Sequence, residues 1–257
     1  MRVLLANGRL AAALSVLVVV ALWVGLTWNG MVSDLFLPSP SDLWSAFLDL
    51  LDDGYKNRTL LEHITDSLIR VLVGFGTGAV IGTLLGLAMG YLPVVDAICA
   101  PFIEFLRPLP QLAYLVLLII WLGIGETPKI TLLFLAALPV SAVAARDGVR
   151  NVSLARIQVA QSLGAGRWQI FRHVVFPSAL AEIFAGARLG IGIVYGTLIA
   201  AEIIAGTSGI GWMILDAGRF LRSDYVFVGI FIIGMMGILL DRLLVAIELR
   251  VVHWAGR

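Results

Sequence analysis

Only two lysines, one cysteine and three histidines occur among the 257 residues, so the side chains that most often supply nucleophiles, metal ligands and phosphate cradles are scarce. The single cysteine, Cys99, excludes an intrachain disulfide and a cysteine-based metal site. With lysine at positions 56 and 129 alone, the chain has no G-x-x-x-x-G-K-[ST] and cannot cradle nucleotide phosphates by that route. His63, His173 and His253 read as lying outside the apolar runs, and no run holds two acids at helical spacing, so the sequence lacks the constellation of a membrane-embedded enzyme. Charge of either sign is sparse, at 14 % of residues against about a quarter in soluble domains. A net charge of +1 leaves no basic surface for nucleic acid.

What the chain has is hydrocarbon. At 60 % hydrophobic and a mean hydropathy of +0.99 it reads as an integral membrane protein. Leu10 to Trp28 carries no charge and follows Arg2 and Arg9; it is long for a signal-peptide core and lacks a cleavage pattern, so it is expected to span. Asn29 to Asp66 is acid-rich and contains FLPSPSDLW, which predicts an extended segment and then a short amphipathic helix in water or at the interface. Ser67 to Tyr91 carries glycines at 74, 78, 82, 86 and 90, a spacing that lets a neighbouring helix approach closely in lipid. After a turn at Leu92–Pro93, the apolar runs Val94–Leu106 and Gln111–Leu122 are separated by Arg107-Pro-Leu-Pro110, whose prolines should break the span. A polar turn, Gly123 to Lys129, precedes Ile130–Ala145. Beyond a basic segment, Ile183–Ala205 contains Arg188 and Glu202. The glycines at 206, 209 and 211 suggest a re-entrant or capping piece within Gly206–Tyr225. Val226–Leu240 follows, and Asp241, Arg242, Glu248, Arg250 and Arg257 mark an exit into water. The expectation is an all-α membrane protein with about six transmembrane helices.

Basic residues set the orientation. Arg2, Arg9, the five arginines of Arg146–Pro177, Arg242, Arg250 and Arg257 fall on one side, against Lys56, Arg58, Lys129, Arg219 and Arg222 on the other. Both termini and the basic segment are therefore expected in the cytoplasm. That segment divides into two short helices. Ser153 is an N-cap candidate for Ser153–Leu163, which stops at Gly164; Arg167–Val175 is expected to end before Pro177. The elbow Gly164-Ala165-Gly166 between them suits insertion into a groove, although periodicity alone serves an ordinary solvated loop equally well.

The spacing Gln158-Val-Ala-x-x-x-Gly164-x9-Val174-x-Phe176-Pro177 resembles the EAA loop of ABC-importer permeases, matching at Ala160, Gly164 and Pro177 and placing glutamine where the family has glutamate. LRPLPQLAYLVLLIIWLGIGETPKI, ARDGVRNV, ALAEIFAGARLGIGIVYGTLIAAEIIAGTSGIGWMI and LEHITDSLIRVLVGFGTGAVIGTLLGLAMG resemble the permeases of nitrate, sulfonate and taurine importers over nearly all the chain beyond Pro38. The resemblance implies a type I importer fold: residues 1–65 as an N-terminal helix with an external amphipathic segment, 66–250 as the permease core with its coupling-helix (EAA) loop at 146–182, and 251–257 as a cytoplasmic tail. It also implies a bacterial inner-membrane location, a permease dimer, most simply of two identical copies, two ABC ATPase subunits and an external solute-binding protein. The permease itself would be non-catalytic and bind no cofactor, ATP and magnesium being held by the ATPase. The implied solute is a small anion of the taurine, alkanesulfonate or nitrate class; relatives also carry thiamine-precursor pyrimidines or aromatic carboxylates, and a passive channel is the alternative.

By the same resemblance the residues of ATPase coupling are Gln158, Ala160, Ser162, Gly164, Ala165, Arg167, Trp168, Arg172 and Pro177, with exposed Trp168 an anchor for a partner pocket. Arg107, Pro110, Glu202, Gly209 and Gly211 are candidates for the translocation path or gate. Each has a plainer reading: an interhelical anchor for Arg107 or Glu202, a tight turn for the glycines. Arg188 should snorkel or pair with a loop acid, since fourteen residues, about 21 Å of helix, separate it from Glu202. Trp121 and Trp212 fit interfacial belts.

Overall fold

The computed structural model describes residues 2–28 and 30–254, with side chains from Leu10 onward. Arg257 and the side chains of Arg2 and Arg9, counted above for orientation, lie outside the described residues. Among the described residues, five helical stretches are long and apolar enough to cross a membrane: Leu10–Trp28, Leu60–Tyr91, Glu126–Arg150, Arg167–Ala205 and Ser223–Val251. A sixth arises if Pro93–Leu106 (α4) and Gln111–Leu122 (α5) form one broken span, bent by 101°, which agrees with the expected six and with the break at Pro108 and Pro110.

The chain forms two compact units. The first comprises Met1–His63 and Met213–Ile232. In it, α1 (Arg2–Trp28) is followed by α2 (Pro40–Asp52), the expected amphipathic helix, which buries Leu43, Ala46 and Leu50. A capping box starts α2: the Asp42 N–H donates to Ser39 Oγ at 3.2 Å and the Ser39 N–H to Asp42 Oδ2 at 3.2 Å. Beyond it, Lys56 and Asn57 both have positive φ, 52° and 62°, within a turn closed by two backbone hydrogen bonds between Tyr55 and Arg58. This is a type I′ hairpin turn. It fixes the Tyr55 hydroxyl, which donates to Asp216 Oδ2 at 2.8 Å, and Lys56 Nζ, 3.5 Å from the same carboxylate. Burial, reinforced by that hydrogen bond, pushes the phenol well above its ordinary pKa, so Tyr55 stays a donor.

The second unit, Ile64–Trp212 with Ile233–Arg257, is built around α6 (Glu126–Arg150). Leu132, Leu133, Ala137, Ala142 and Ala145 of α6 are fully buried. The glycine row of α3 (Leu60–Tyr91) lies against it. A Cβ at Gly74 would stand 2.5 Å from Leu133 Cβ, at Gly78 2.6 Å from the Phe134 carbonyl oxygen, and at Gly90 2.6 Å from Val149 Cβ. The four-residue spacing therefore does what it does in lipid, bringing two backbones into contact. From the other side, α9 (Phe176–Ala205) packs Ala179 and Glu182 against Gly148.

Several boundaries move. α3 begins at Leu60, not Ser67, because Thr59 and Glu62 form a capping box; it thereby takes in His63, which is fully buried. His173 also falls within a helical stretch long enough to span, so two of the three histidines do not lie outside such stretches. α6 starts at Glu126 rather than Ile130, since Gly123 (φ 83°) ends the preceding turn and the Lys129 ammonium donates to Glu126 at 2.7 Å across the first helical turn. The second elbow helix does not end before Pro177. α8 (Arg167–Ile170) passes through a π-turn at Phe171–Val175 into α9, and the Phe176 N–H donates five residues back, to the Phe171 carbonyl. The wider turn takes up the disruption that proline, lacking an N–H, would cause in an unbroken α-helix. After α10 (Ile210–Arg219), α11 (Ser223–Val251) runs past Leu240, and Asp241 sits within it, bonded to Arg188.

Candidate functional site

Two groups of functional candidates occupy opposite ends of α9. At its start lies the elbow. α7 (Leu154–Ser162) has Ser153 at the N-cap position, without a side-chain cap bond. Its C-terminus is closed by a Schellman motif: the Gly164 N–H donates to the Gln161 carbonyl at 2.9 Å and the Ala165 N–H to the Ala160 carbonyl at 3.0 Å. Gly164 is the left-handed residue at φ 81°, and a Cβ there would meet nothing within 4 Å, so its requirement is conformational and not steric. Ala160, Gly164 and Ala165 thus make one capping structure. The Gly166 N–H then donates to Gln169 Oε1 at 2.8 Å, starting α8.

The inner side of the elbow, Ile157, Ala160, Ala165, Phe171 and Val174, packs on a core made by the ends of α3, α6 and α9. The Tyr91 hydroxyl donates to the Arg167 carbonyl at 3.0 Å, and Phe171 lies between Tyr91 and Trp168 with ring centroids 5.0 and 5.6 Å away. The outer side is bare: Leu163 is 81 % exposed and Trp168 68 %, and Gln158 and Ser162 are exposed. Of the five arginines, Arg146 and Arg150 are tied to α4 through Asp96 and Glu104. Arg156, Arg167 and Arg172 are exposed and have no ion-pair partner among the described residues. Pro177 is half-buried in the first turn of α9.

At the far end of α9 lies a buried ionic clamp centred on Arg70 of α3, which the sequence reading passed over. Its guanidinium is 2 % exposed and uses all five donors. Nε and Nη2 donate to the two oxygens of Glu126 at 2.5 and 2.8 Å, Nη1 to Glu202 Oε1 at 2.6 Å and to the Ser208 carbonyl at 2.9 Å, and Nη2 to Ser208 Oγ at 2.9 Å. Ser208 Oγ in turn donates to Asp66 at 2.5 Å. Glu202, fully buried, also accepts from Ser67 Oγ at 2.8 Å and from the Gly211 N–H at 2.8 Å. The segment after α9 can close over this pair only because it is glycine. A Cβ at Gly209 (φ 107°) would stand 2.5 Å from Arg70 Nη1, and one at Gly211 3.1 Å from Glu202 Oε2.

The structure therefore joins Glu202, Gly209 and Gly211. It leaves Arg107 and Pro110 apart, exposed at the bend between α4 and α5. A lone arginine early in one apolar run and a lone glutamate late in another were the available signal, since charges in lipid seek partners.

A family model described as binding-protein-dependent transport system inner membrane component matches residues 78–253. Over 256 residues, 99 % of this chain and 91 % of the relative, the chain is 41 % identical to the taurine transport system permease protein TauC of Escherichia coli K12. It is 32 % identical to the putative aliphatic sulfonates transport permease protein SsuC of Bacillus subtilis over 92 % of the chain and 84 % of that relative. Identity is also 32 % to the nitrate import permease protein NrtB of a Synechocystis strain, over 95 % and 89 %. Among solved structures, the inward-facing MetNI methionine ABC transporter matches with a TM-score of 0.57 at 22 % identity, covering 72 % of this chain and 95 % of that one. An amino acid ABC transporter with histidines matches at 0.59 and 20 %, covering 74 % and 92 %. The helical order, the elbow and these likenesses converge: the chain belongs to the family of inner membrane components of binding-protein-dependent transport systems.

Proposed function

We propose that this chain is the permease of an ATP-driven importer for a small sulfonate-class anion such as taurine. Two copies line the path, an external binding protein delivers the solute, and separate ATPase subunits holding ATP and magnesium supply energy through the elbow. The permease does no chemistry and binds no cofactor. Residues 66–250 form the working core, with the coupling loop at 146–182; 1–65 and 251–257 are accessory, and both termini face the cytoplasm. The excess of arginine on the elbow side supports that orientation.

The observation that carries the reading is the elbow's division into two faces. Its inner side is fixed by core packing and by the Tyr91 bond, while its outer side offers an exposed tryptophan, an exposed leucine and three arginines that have no ion-pair partner among the described residues. A partly exposed aromatic with flanking arginines is the composition of interface anchors. Gln158, Ala160, Ser162, Gly164, Ala165 and Pro177 shape the elbow; Arg167, Trp168 and Arg172 meet the ATPase. The identity to TauC supports the substrate class.

The test is reconstitution with the neighbouring ATPase and binding protein. Wild-type chain should import taurine when ATP is supplied. Trp168→Ala should weaken ATPase capture by more than 2 kcal/mol, about thirtyfold, as loss of an interface hot spot does, while inserting normally. Capture at wild-type strength overturns the assignment. For orientation, a reporter fused after Arg150 should report cytoplasm and one after Asp53 the outside; the opposite result reverses the topology.

A further inference from the structure

Projected at about 100° per residue, α2 of the first unit divides into three sectors. One holds Leu43, Ala46 and Leu50, all buried against the protein. Next to it round the helix come Leu51, Trp44 and Leu48, an unbroken apolar edge that is left bare at 49, 63 and 41 % exposed. Asp52, Ser45, Asp49 and Asp42 complete the circle. A helix resting on protein in water needs a single apolar face. A second one, beside the first and clear of the acids, is the pattern of a helix with protein on one side, lipid beneath and water above.

Contacts at both ends of α2, all within the first unit, fix its depth. Before it, Trp23 Nε1, five residues short of the end of α1, donates to the Pro38 carbonyl at 3.0 Å, and Ser223 Oγ at the start of α11 donates to the Leu35 carbonyl. After it, the Tyr55 ring meets Tyr225, in the first turn of α11, edge-on with centroids 5.9 Å apart. Leu10–Trp28 and Ser223–Val251 are both apolar enough to cross the membrane, and no part of Leu10–Trp28 is buried in protein, so lipid reaches its end. The chain therefore enters and leaves α2 at the level where two crossing helices end. The 13 residues between, about 20 Å of helix, run along the membrane surface and do not stand away from it.

We propose that α2 is an interfacial helix whose Leu51–Trp44–Leu48 edge is sunk in the lipid surface, at the boundary between headgroups and acyl chains. Tryptophan suits that boundary, with an apolar ring and a polar N–H. α2 contains no lysine or arginine, so the contact rests on burial of the apolar edge alone and is indifferent to lipid charge. Floating at this level, the helix holds the Lys56–Asn57 turn that follows it, and with it the Tyr55 hydroxyl on Asp216, at the water side of the boundary. The assignment is independent of which solute is carried.

Spin labels on the full-length chain in phosphatidylcholine vesicles test this, attached one at a time to Leu48→Cys, Leu51→Cys, Ser45→Cys and Asp49→Cys in a Cys99→Ala background. All four positions are exposed, so a label displaces no packing. At Leu48 and Leu51, collisions with oxygen, which concentrates in lipid, should exceed those with a water-soluble nickel chelate; at Ser45 and Asp49 the order should reverse. Nickel dominating at all four positions means that the helix stands in water, and the proposal falls. It falls equally if Leu48 and Leu51 are shielded from both reagents, since a second copy or another protein then covers the edge. Adding phosphatidylglycerol should leave the depths unchanged, and immersion that occurs only with the anionic lipid would overturn the apolar basis of the contact.

Discussion

Arg70→Met should lower the stability of the purified chain by about 3–5 kcal/mol, the usual result of removing one partner from a buried ion pair. The magnitude follows from what is left behind. Glu202 remains fully buried, and Glu126 and Asp66 lose the guanidinium that both face. Lys129, 2.7 Å from Glu126, is the one cation remaining in the cluster among the described residues. Thermal melting in detergent, followed by size exclusion, measures the loss. Neutralising the facing acid as well, in Arg70→Met with Glu202→Gln, should recover part of it, because the double variant no longer buries a lone carboxylate. A coupling between the two substitutions of less than about 0.5 kcal/mol would place them in the range of independent sites and dismiss the clamp as a unit.

The glycine row of α3 should respond almost as strongly, and only on one face. Gly78→Leu places its Cβ 2.6 Å from the Phe134 carbonyl oxygen and 2.8 Å from Ala137 Cβ. The nearer of these is backbone of a buried helix and cannot swing aside, so the helices must separate. Overpacking of this kind costs about 1–3 kcal/mol, and more where the obstacle is main chain. Gly76→Leu, two residues earlier on the same helix, meets nothing within 4 Å and should melt as the wild type does. Equal losses for the two variants would mean that α3 and α6 do not pack through this face.

Much of this could be read from sequence where a local rule applied. Period-four glycines gave the α3 face, Pro108 and Pro110 gave the broken pair, and a glycine after an amphipathic stretch gave the elbow. Boundaries failed where capping or register competed with composition. Glu62 and Glu126 look like loop residues by polarity, yet each serves the first turn of a helix, and Pro177 looks like a stop until the π-turn before it is seen. The Arg70 clamp was out of reach for a different reason. Its members are separated by up to 142 residues, and a lone chain records that Arg70 and Glu202 need partners but not that they are each other's. Burial also shows how Glu202 is held, its carboxylate accepting from Arg70, Ser67 and Gly211 within the clamp.

The π-turn has a mechanical consequence. Arg167 to Ala205 is one continuous helical rod of 39 residues, about 58 Å long at 1.5 Å per residue, with the elbow at one tip and Glu202 near the other. Force applied at Arg167 either travels along this shaft or is absorbed at Phe171–Val175, where the hydrogen-bond rings are widest. If that turn tightened to α geometry by one residue, everything beyond it would rotate by about 100°, and Glu202 would no longer meet Arg70. Any such change of winding would therefore turn the clamp's end of the helix relative to the elbow's.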